Sequence, residues 1–398
     1  MKWIDGGVTA AQGFLASGLS AGIKRSRKPD MSLVWSEDPA VCAGTLTSNV
    51  VKAAPVLLSR ERLRGGVARG VLLNSGCANC MTGEPGLHDA ALLGRAAADE
   101  LRVPEQQLLL ASTGIIGRRL PVPRMRRAIP SLVKHLSRNG HRQAALGILT
   151  TDTKAKEAAV SARIAGRTCS VGGMAKGAGM IAPSMATMLC VITTDVRIDR
   201  ALLAQLVREA VDASFNCVSV DGDMSTNDTV FVLANGRSGI TIRRGSTEAK
   251  QFAAMLQAVT HRLAYLIVKD GEGATRIATI EVEGGRSDRD AARCARQIAT
   301  SSLVRTMLAS GDPNVGRIGG AAGASGARFD PDKLEIRIGH HVVVRGGVAK
   351  RIGKNLADRL FSPTELTIRV HLHAGSGRGR MMACDLTEEY VRLNARYS

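Results

Sequence analysis

Short runs of apolar residues alternate with stretches of helical periodicity along the whole chain, and no internal repeat interrupts them. Short apolar runs favour buried strands, and apolar positions three or four residues apart favour helices. The alternation predicts a mixed α/β protein, and 398 residues allow two or three domains or one large α/β body. The predicted strands cover residues 70–73, 107–111, 188–193, 229–233 and 366–373, together with a hairpin over 334–345 that turns at Gly339-His340.

The predicted strand at 366–373 carries two histidines. Leu366, Ile368 and Val370 alternate with polar residues, so one face of the strand is apolar. His371 and His373 fall on the opposite face. We therefore expect both histidines to be solvated rather than catalytic.

Two amphipathic helices are predicted in the second half of the chain. Asp199 is placed to cap the first helix, and Ser246 precedes the second. Each helix has a narrow apolar stripe, so one face is expected to pack on a sheet. The second helix ends at Asp270-Gly271, and the turn there presents Glu272, a setting typical of functional loops.

The composition excludes several classes of protein. The chain is 44% hydrophobic, contains 43 glycines and has a mean hydropathy of +0.01, which is typical of an ordered globular protein and not of a disordered or fibrous one. No run approaches the ~18 apolar residues that a membrane span needs. Asp5, Gly6 and Gly7 stand where a secretory signal would have its apolar core. We expect a cytoplasmic protein with no membrane partner.

The chain is strongly basic, with 54 lysines and arginines against 35 aspartates and glutamates, a net charge of +19. Such a charge raises the question of nucleic acid as a partner. Most basic residues are scattered, and the densest stretch, residues 118–142, has no aromatic side chains on which bases could stack. It is predicted to be a solvated helix face, and no nucleic-acid partner is expected. The alternative, a non-catalytic nucleic-acid binder, predicts affinity that falls steeply with salt.

Eight cysteines are too few for a disulfide scaffold in a chain of this length. Cys77 and Cys80 form one CxxC pair, with no second pair and no nearby histidine cluster. A zinc site is therefore not expected, and the two cysteines are predicted to be small buried or loop residues.

Two glycine motifs match the patterns of known functional loops, but their context argues against them. Residues 18–22 fit the GxSxG turn of α/β-hydrolases, yet neither an apolar strand before them nor a good helix after them is evident. Residues 177–182 fit the loose dinucleotide-binding pattern, yet no convincing strand leads into them. We interpret both as glycine-rich segments without these functions.

Thr187 lies where the glycine-rich loop 176–187 runs into the predicted strand at 188–193. A threonine hydroxyl is a weak nucleophile unless a base activates it. Cleavage of the chain before Thr187 would supply one, because its own α-amine, with a pKa near ~7.7–8.0, would be partly neutral at cellular pH. The small Ala186 and the upstream glycines suit a scissile bond. The alternative is an ordinary threonine at the start of a strand.

A second glycine loop, residues 112–117, follows the predicted strand at 107–111. A glycine loop that leaves a strand can point a backbone N–H into a site, and the Thr113 hydroxyl adds a donor, so together they provide the parts of an oxyanion hole. A tight turn is the alternative. The polar segment 221–228 lacks the closing glutamate of a calcium loop, and we interpret it as a hydrogen-bonding network that supports a site.

Taken in order, these and other segments resemble the ornithine acetyltransferase family. The resemblance covers nearly the whole chain and rests on the segments GFLASGLSAGIK, SNVVKAAPV, NSGCAN, STGIIG, ILTTDTKAKEAA, KGAGMIAPSMATML, VDGDMSTND, KDGEGATR, GDPNVGRI and ACDLTEEYVRLNARY. One such motif is weak evidence, whereas this many in the same order are highly specific.

The resemblance implies both a fold and a maturation step. The implied fold is an αββα sandwich with a smaller C-terminal α/β portion, and the implied enzyme is a self-processing N-terminal-nucleophile type, cut between Ala186 and Thr187. Residues 1–186 would form an α chain with the oxyanion hole, and residues 187–398 a β chain that begins with the nucleophile. The two chains are expected to stay intertwined in one catalytic body and to form an α2β2 heterotetramer.

The resemblance also implies roles for individual residues. Thr187 is the nucleophile, and Thr113 and Gly114 form the oxyanion hole. The residues that would bind the amino-acid substrates are Thr150, Lys176, Thr187, Glu272, Asn394 and Ser398.

Lys176 would pair with the substrate α-carboxylate and Glu272 with a substrate amine. Thr151 is adjacent to Thr150 and is its alternative counterpart. The terminal threonine that helps bind substrate in the family is either absent here or replaced by Ser398.

The implied reaction is acetyl transfer from N2-acetyl-L-ornithine to L-glutamate in arginine biosynthesis, by a ping-pong mechanism through an acyl-threonine. This exchange needs no metal and no cofactor, and acetyl-CoA is left open as a co-substrate. Ser184 and Val315 replace the usual asparagine and tryptophan of the family. A related acyltransferase of specialised metabolism with a different acceptor is therefore one alternative. An N-terminal-nucleophile aminopeptidase, which passes the acyl group to water, is another.

Overall fold

The structure is a computed structural model that describes residues 1–182 and 188–395. The chain divides into two compact units. Unit 1 comprises residues 1–177, 184–216 and 224–267, and unit 2 comprises residues 178–183, 217–223 and 268–398. Both units combine strands with helices, so the predicted α/β class with a smaller C-terminal α/β portion is confirmed. Unit 1 contains residues that precede the predicted cut after residue 186 and residues that follow it. The division into an α chain and a β chain stays a prediction.

The strands are β1 (Lys2–Trp3), β2 (Phe14–Leu19), β3 (Met31–Leu46), β4 (Val67–Asn74), β5 (Leu108–Ser112), β6 (Lys156–Ile164), β7 (Arg167–Lys176), β8 (Leu189–Thr194), β9 (Arg197–Ile198), β10 (Val218–Ser219), β11 (Thr229–Ala234), β12 (Thr241–Ile242), β13 (Ile277–Gly285), β14 (Glu335–Ile338), β15 (His341–Arg345), β16 (Val348–Ala349), β17 (Glu365–His371) and β18 (Gly377–Cys384). The α-helices are α1 (Ala54–Leu63), α2 (Gly83–Leu101), α3 (Val122–Lys134), α4 (His141–Gly147), α5 (Arg200–Ala213), α6 (Thr247–Lys269), α7 (Asp288–Thr300), α8 (Ser302–Ser310), α9 (Gly316–Gly323), α10 (Lys354–Phe361) and α11 (Glu388–Asn394).

A nine-stranded sheet forms the centre of unit 1, in the order β1-β6-β7-β8-β11-β3-β4-β5, with β2 paired to β3. β3 has 16 residues and pairs with β2, β4 and β11 along different parts of its length. β7 and β8 are antiparallel neighbours, and their register pairs Val171 with Thr194 and Lys176 with Leu189. The end of β7 therefore lies beside the start of β8.

β5 shows how unit 1 buries both faces of this sheet. Its apolar run has no polar alternation, as expected for a strand covered on both sides. Leu109 and Ala111 pack in one core with residues of β2 and β3. Leu108 and Leu110 pack in a second core with residues of α2 and α3. The strands predicted at 70–73, 107–111, 188–193 and 229–233 are all confirmed, with ends shifted by three residues or fewer.

Asp199 and Ser246 begin helices as predicted. The Asp199 carboxylate accepts a hydrogen bond from the Leu202 N–H at 2.9 Å, and the Ser246 hydroxyl accepts one from the Ala249 N–H at 3.1 Å. The apolar stripe of α5 packs on β3, and that of α6 lies against β7. Each predicted helix therefore uses one face to cover the sheet of unit 1.

Unit 2 contains a seven-stranded sheet in the order β10-β18-β13-β17-β14-β15-β16. Its inward-facing residues, such as Ile280 and Ile368, form a core with α7, α8 and α9. The predicted hairpin is confirmed, because β14 and β15 pair across a turn at Gly339. Gly339 has a φ of 58°, a left-handed conformation that glycine adopts at little cost.

The prediction for the two histidines near the end of β17 is only partly correct. β17 ends at His371, and His373 lies beyond it with a φ of 50°. His373 is exposed as predicted, but His371 is half-buried because its ring lies against Gly284. Burial, together with the neighbouring His373, lowers the pKa of His371. His371 is therefore expected to be neutral at pH 7.

Both glycine motifs follow strands, contrary to the expectation from the sequence. β2 ends at Leu19, inside the motif at 18–22, and β7 ends at Lys176, directly before the motif at 177–182. Glycine and serine within β2 and β7 conceal the apolar character on which strand prediction depends. The motif at 18–22 is followed by turns and not by a helix, which argues against the hydrolase interpretation. The residues that directly follow the motif at 177–182 lie outside the described residues.

The basic stretch at 118–142 includes α3 and is solvated as predicted. Arg124, Arg126 and Arg127 are exposed, whereas Met125 and Ile129 of the same helix are buried. Cys77 and Cys80 are buried free thiols, again as predicted. Within residues 1–182 and 188–395, no helix combines the length and apolar character that crossing a membrane requires.

Replacing Asp199 with alanine is expected to lower the free energy of unfolding by about 1 kcal/mol, because the Leu202 N–H loses its acceptor at the start of α5. Asp199→Asn keeps an acceptor of the same length and is the matched control. Urea unfolding followed by circular dichroism measures both variants. Equal losses in the two variants would contradict the capping role.

Candidate active site

In unit 1, the loop 74–80 after β4 and the loop 112–117 after β5 are joined by hydrogen bonds. These strands are parallel neighbours, so their carboxyl ends lie side by side. The Ser112 hydroxyl donates to the Asn74 carboxamide oxygen at 2.6 Å, and the Ala78 N–H donates to the Ile115 carbonyl at 3.0 Å. The loop 112–117 is therefore held in place by the loop 74–80.

Thr113 and Gly114, the predicted oxyanion-hole residues, lie in this held loop. Thr113 is buried, and its N–H donates to the Asn74 carbonyl at 3.0 Å. Gly114 has a φ of 131°, and a Cβ at this position would lie 2.4 Å from the carbonyl carbon of Gly76. Both the conformation and the close approach require glycine.

The side chain of Lys176, at the end of β7, reaches the same loop. Its Nζ donates to the Thr150 hydroxyl at 2.9 Å and to the Thr113 hydroxyl at 3.4 Å. Three of the residues predicted for the site therefore lie together in unit 1. The hydroxyl in this contact belongs to Thr150, the first of the two adjacent threonines.

Asp152, a carboxylate that the sequence analysis missed, is buried within this cluster. Its oxygens lie 2.6 Å from the Lys156 Nζ and 3.9 Å from the Lys176 Nζ, and one accepts the Gly177 N–H at 2.7 Å. Burial raises the pKa of Asp152, but the charges of Lys176 and Lys156 more than offset this and hold the pKa well below its usual range. Asp152 is therefore charged at neutral pH and stabilises both ammonium groups.

Lys24 lies close to the oxyanion-hole candidates and was also missed. Its side chain packs against Gly76, the residue that Gly114 approaches. Its Nζ donates to the Pro29 carbonyl at 2.7 Å. Burial lowers the pKa of Lys24 to about 8, although the negative charge of Asp30 opposes the shift. The Lys24 amine therefore loses its proton at a lower pH than an ordinary lysine.

The segment 225–229 connects the loop 112–117 to the start of β8. The Asn227 carboxamide donates to the Ala78 carbonyl at 2.7 Å and to the Ser112 carbonyl at 2.8 Å. The Asp228 carboxylate accepts the Met188 N–H at 2.9 Å. The prediction of a hydrogen-bonding network in this polar segment is confirmed.

Glu272 and Asn394, the predicted substrate residues of unit 2, contact each other. The Asn394 side-chain amide donates to the Glu272 carboxylate at 2.6 Å. The Glu272 N–H donates to the Ala178 carbonyl at 2.8 Å, and a Cβ at Gly179 would lie 2.5 Å from the Glu272 carboxylate. Glycine at 179 therefore lets the backbone approach this buried carboxylate closely.

Asp221 organises the neighbouring part of unit 2. It accepts the N–H groups of Met180 and Ile181, and the Tyr390 hydroxyl lies 3.3 Å from it. Burial raises the pKa of Tyr390, and the negative charges of Asp221, Asp223 and Glu272 raise it further. Tyr390, which the sequence analysis missed, is therefore neutral and acts as a donor.

Four residues named in the sequence analysis, Ser184, Ala186, Thr187 and Ser398, lie outside the described residues. Their roles stay predictions. Val315 is described, and it is buried directly before α9 in the core of unit 2.

Comparisons with known proteins extend the resemblance noted in the sequence. The family model described as the ArgJ family matches residues 15–398. A protein from Symbiobacterium thermophilum named "Arginine biosynthesis bifunctional protein ArgJ" is 44% identical over 400 residues and aligns over 100% of both chains. A protein of the same name from Parasynechococcus marenigrum is also 44% identical, over 99% of this chain and 96% of its own.

Among solved structures, the ornithine acetyltransferase of Mycobacterium tuberculosis in complex with ornithine is 36% identical, with a TM-score of 0.43, and the match covers 47% of this chain and 99% of that one.

The mixed α/β fold and the match over nearly the whole chain define an acetyltransferase of arginine biosynthesis. More narrowly, the chain belongs to the ArgJ family. The predicted family, its fold type and the enzyme class are thereby confirmed. The cleavage between Ala186 and Thr187 and the roles of the individual site residues stay predictions.

Asp152→Asn is expected to lower the free energy of unfolding at pH 7 by about 3–5 kcal/mol, because Lys156 and Lys176 stay buried without this carboxylate. The folded-state pKa of Asp152 is lowered, so its stabilisation is complete above the unfolded-state pKa of about 3.9 and is lost as the pH falls below it. The difference in stability between the wild type and the variant should therefore shrink in acid. Chemical denaturation over a range of pH measures it.

Asp38→Asn is the matched control, because Asp38 pairs with Arg237 at the surface. Exposed pairs contribute less than about 1 kcal/mol. An Asp152→Asn protein as stable at pH 7 as Asp38→Asn would overturn the assignment of Asp152 as the buried anchor.

Proposed function

We propose that the chain transfers an acetyl group from N2-acetyl-L-ornithine to L-glutamate, after cutting itself between Ala186 and Thr187. The observation that carries the proposal is the contact of Lys176 with the hydroxyls of Thr150 and Thr113. It joins a cation suited to an amino-acid carboxylate with a hydroxyl donor suited to an oxyanion. Membership of the ArgJ family adds support for acetyl transfer in arginine biosynthesis.

In the first half-reaction, the α-amine of Thr187 takes the proton of its own hydroxyl while Oγ attacks the acetyl carbonyl. The tetrahedral intermediate then collapses, the bond from carbon to the ornithine nitrogen breaks, and the α-ammonium returns its proton to the leaving amine. Thr187 is left acetylated. In the second half-reaction, the neutral amine of glutamate attacks this ester by the reverse sequence, which yields N-acetylglutamate and restores the threonine.

The oxyanion of each tetrahedral intermediate is stabilised by the Thr113 hydroxyl and the Gly114 N–H. The held conformation of their loop supports this role, because donors that are fixed in advance need no reorganisation as the charge develops. Lys176, which also contacts the Thr113 hydroxyl, adds positive charge beside these donors.

Amino-acid recognition is assigned to Lys176 and Thr150 for the α-carboxylate, and to Glu272 for a substrate amine. The Asn394 amide, bound to Glu272, orients that carboxylate. Ser398 is proposed to bind substrate at the position that a threonine occupies in the family. Because Asp152 lies 3.9 Å from Lys176, its negative charge partly offsets the positive charge of Lys176 at this proposed carboxylate-binding position.

The acceptor separates this function from its alternatives. An aminopeptidase would release the acetyl group to water, whereas the proposed enzyme forms N-acetylglutamate faster than free acetate. An acyltransferase of specialised metabolism would prefer another amine to glutamate. Incubation of the cut protein with acetylornithine and a set of amino acids, followed by mass spectrometry of the products, distinguishes the three.

Acetyl-CoA is proposed as a second acetyl donor, because the relatives are named as bifunctional. Formation of N-acetylglutamate from acetyl-CoA and glutamate, with no acetylornithine present, tests this activity. The α and β chains are further proposed to assemble as an α2β2 heterotetramer, which native mass spectrometry tests.

Denaturing intact-mass analysis should find two fragments in the wild-type protein, residues 1–186 and 187–398 of the sequence, and one uncut chain in Thr187→Ala. The reason is that the alanine variant lacks the hydroxyl that attacks the preceding peptide bond. Thr187→Ser keeps a hydroxyl and is the matched control, expected to be cut. An uncut wild-type chain would contradict self-activation.

Thr113→Ala is expected to lower kcat by about 10²–10³, the usual effect of removing one oxyanion donor. Steady-state kinetics of the cut protein measures it. Thr113→Ser keeps the hydroxyl and should stay within about tenfold of the wild type. A Thr113→Ala enzyme with an unchanged kcat and a raised KM would instead place Thr113 in substrate binding.

A further inference from the structure

A groove of about 800 Å³ lies between α2 and α3 of unit 1. Its walls come from the last turns of α2 and from the first half of α3. Val122, Ile129 and Pro130 of α3 supply apolar surface, and Ala96 of α2 adds a small apolar side chain. A groove of this volume with apolar walls is large enough for a small molecule.

Charges of opposite sign line the two sides of this groove. Asp99 and Glu100 lie on the α2 side, and Arg126 and Arg127 lie on the α3 side. All four side chains are exposed. Among the described residues none of the four forms an ion pair, although both signs line the same space. The groove therefore offers two unpaired anions on one side and two unpaired cations on the other.

The two helix ends at the groove carry charges that the helix dipoles disfavour. Asp99 and Glu100 stand in the last turn of α2, which contains no basic residue, although the carboxyl end of a helix favours cations. α3 begins with Arg124 in its first turn, followed by Arg126 and Arg127, and its first turn contains no acidic residue. Charges that break a local rule without a partner in the fold are expected at functional sites.

A ligand that satisfies both sides of the groove needs an anion for the arginines, hydrogen-bond donors for the carboxylates and a flat apolar body. An adenine nucleotide has all three. Guanidinium groups bind phosphate in a bidentate manner and stack on bases, carboxylates accept from ribose hydroxyls, and the adenine amino group is a further donor. A dicarboxylate would be repelled by the acidic side, and a polyamine by the basic side.

The groove is joined to the candidate site by a short segment. Gly117 ends the loop that carries the oxyanion-hole candidates, and Val122 begins α3, so five residues separate them by at most about 18 Å. The segment starts against that loop, because the Cys77 thiol donates to the Arg118 carbonyl at 3.2 Å and Cys77 also forms an isolated bridge with Thr113. Arg118 is exposed on this path and forms no ion pair among the described residues.

We propose that the groove between α2 and α3 binds the adenine nucleotide end of acetyl-CoA. Arg126 and Arg127 bind phosphate, and Asp99 and Glu100 accept hydrogen bonds from the ribose and the base. The phosphopantetheine arm then runs along residues 117–121, and the thioester reaches the oxyanion hole. The inference rests on the part of the proposed function in which acetyl-CoA is a second acetyl donor. Acetylornithine and glutamate carry no nucleotide, so only acetyl-CoA uses the groove.

The test is the double variant Arg126→Ala/Arg127→Ala, because alanine keeps the helix and removes both cations. Isothermal titration with coenzyme A should give a Kd at least about tenfold above that of the wild type, since two charge-assisted contacts to phosphate are lost. The KM for acetyl-CoA should rise by a similar factor. The kcat and the KM for acetylornithine should stay within about twofold, because the lost contacts are remote from the reacting atoms.

Arg138→Ala/Arg142→Ala is the matched control. Both arginines belong to the same basic stretch, are exposed and do not line the groove. This variant loses the same charge, and its Kd for coenzyme A should stay within about twofold of the wild type, because only long-range and screened attraction is removed. Equal losses of affinity in the two double variants would show attraction by overall charge and would overturn the proposal.

A second measurement uses the wild-type protein and does not depend on how a variant folds. ADP should displace coenzyme A, whereas pantetheine, which lacks the nucleotide, should not do so at the same concentration. Coenzyme A should bind more tightly than ADP because its arm adds contacts. Displacement by pantetheine alone would overturn the proposal. ADP that binds as tightly as coenzyme A would assign the groove to free nucleotides and would also overturn it.

The outcomes separate this inference from the proposed function. A wild-type protein that binds coenzyme A through Arg126 and Arg127 but forms no N-acetylglutamate from acetyl-CoA defeats the donor activity and leaves the groove as the binding site. A wild type that uses acetyl-CoA, but whose Arg126→Ala/Arg127→Ala variant keeps the Kd and the KM for it, defeats only the groove. A wild type that neither binds coenzyme A nor uses acetyl-CoA defeats both.

Discussion

The buried charge cluster around Asp152 is the constraint on which the candidate site in unit 1 depends. One carboxylate stabilises the ammonium groups of Lys156 and Lys176 and also accepts the Gly177 N–H. Lys156 begins β6 and Lys176 ends β7, so the cluster lies at one end of the β6–β7 pair. A buried charge is tolerated only with a partner. Asp152 therefore fixes the direction of the Lys176 side chain by pairing with it, and it holds this end of the β6–β7 pair by also pairing with Lys156.

A second set of hydrogen bonds holds the loop 112–117, whose Thr113 hydroxyl contacts Lys176. The loop 112–117 is held from one side by the loop 74–80 and from another by Asn227. Neutral amide and hydroxyl groups form most of these bonds, whereas charge is concentrated at Asp152, Lys156 and Lys176. The hydrogen bonds that hold the loop 112–117 therefore do not depend on groups that titrate near neutral pH. Lys24, which packs against Gly76 in the loop 74–80, is the neighbouring group whose pKa is lowered to about 8.

Most of the fold was predictable because the signals were local. The apolar run of β5 and the capping aspartate at 199 each identify an element from neighbouring residues. β2 and β7 were missed as apolar strands because glycine and serine interrupt them. The glycine loop after β5 indicated Thr113, and resemblance to a family added Thr150 and Lys176, but neither pattern nor motif singled out Asp152 or Lys24. Their importance arises from burial and from partners that only the folded sheet brings close.

The antiparallel pairing of β7 with β8 has a consequence for maturation. The proposed cut falls in the connection between these two strands, so the ladder from Val171–Thr194 to Lys176–Leu189 would join two separate chains. No hydrogen bond of this ladder is lost by cutting. What changes is the entropy of the unfolded state. In the uncut chain the connection keeps β7 and β8 at a high effective concentration, whereas after the cut they lie on separate chains that must associate again if the protein unfolds. Cutting would thus leave the native state intact while making its assembly, once undone, dependent on protein concentration.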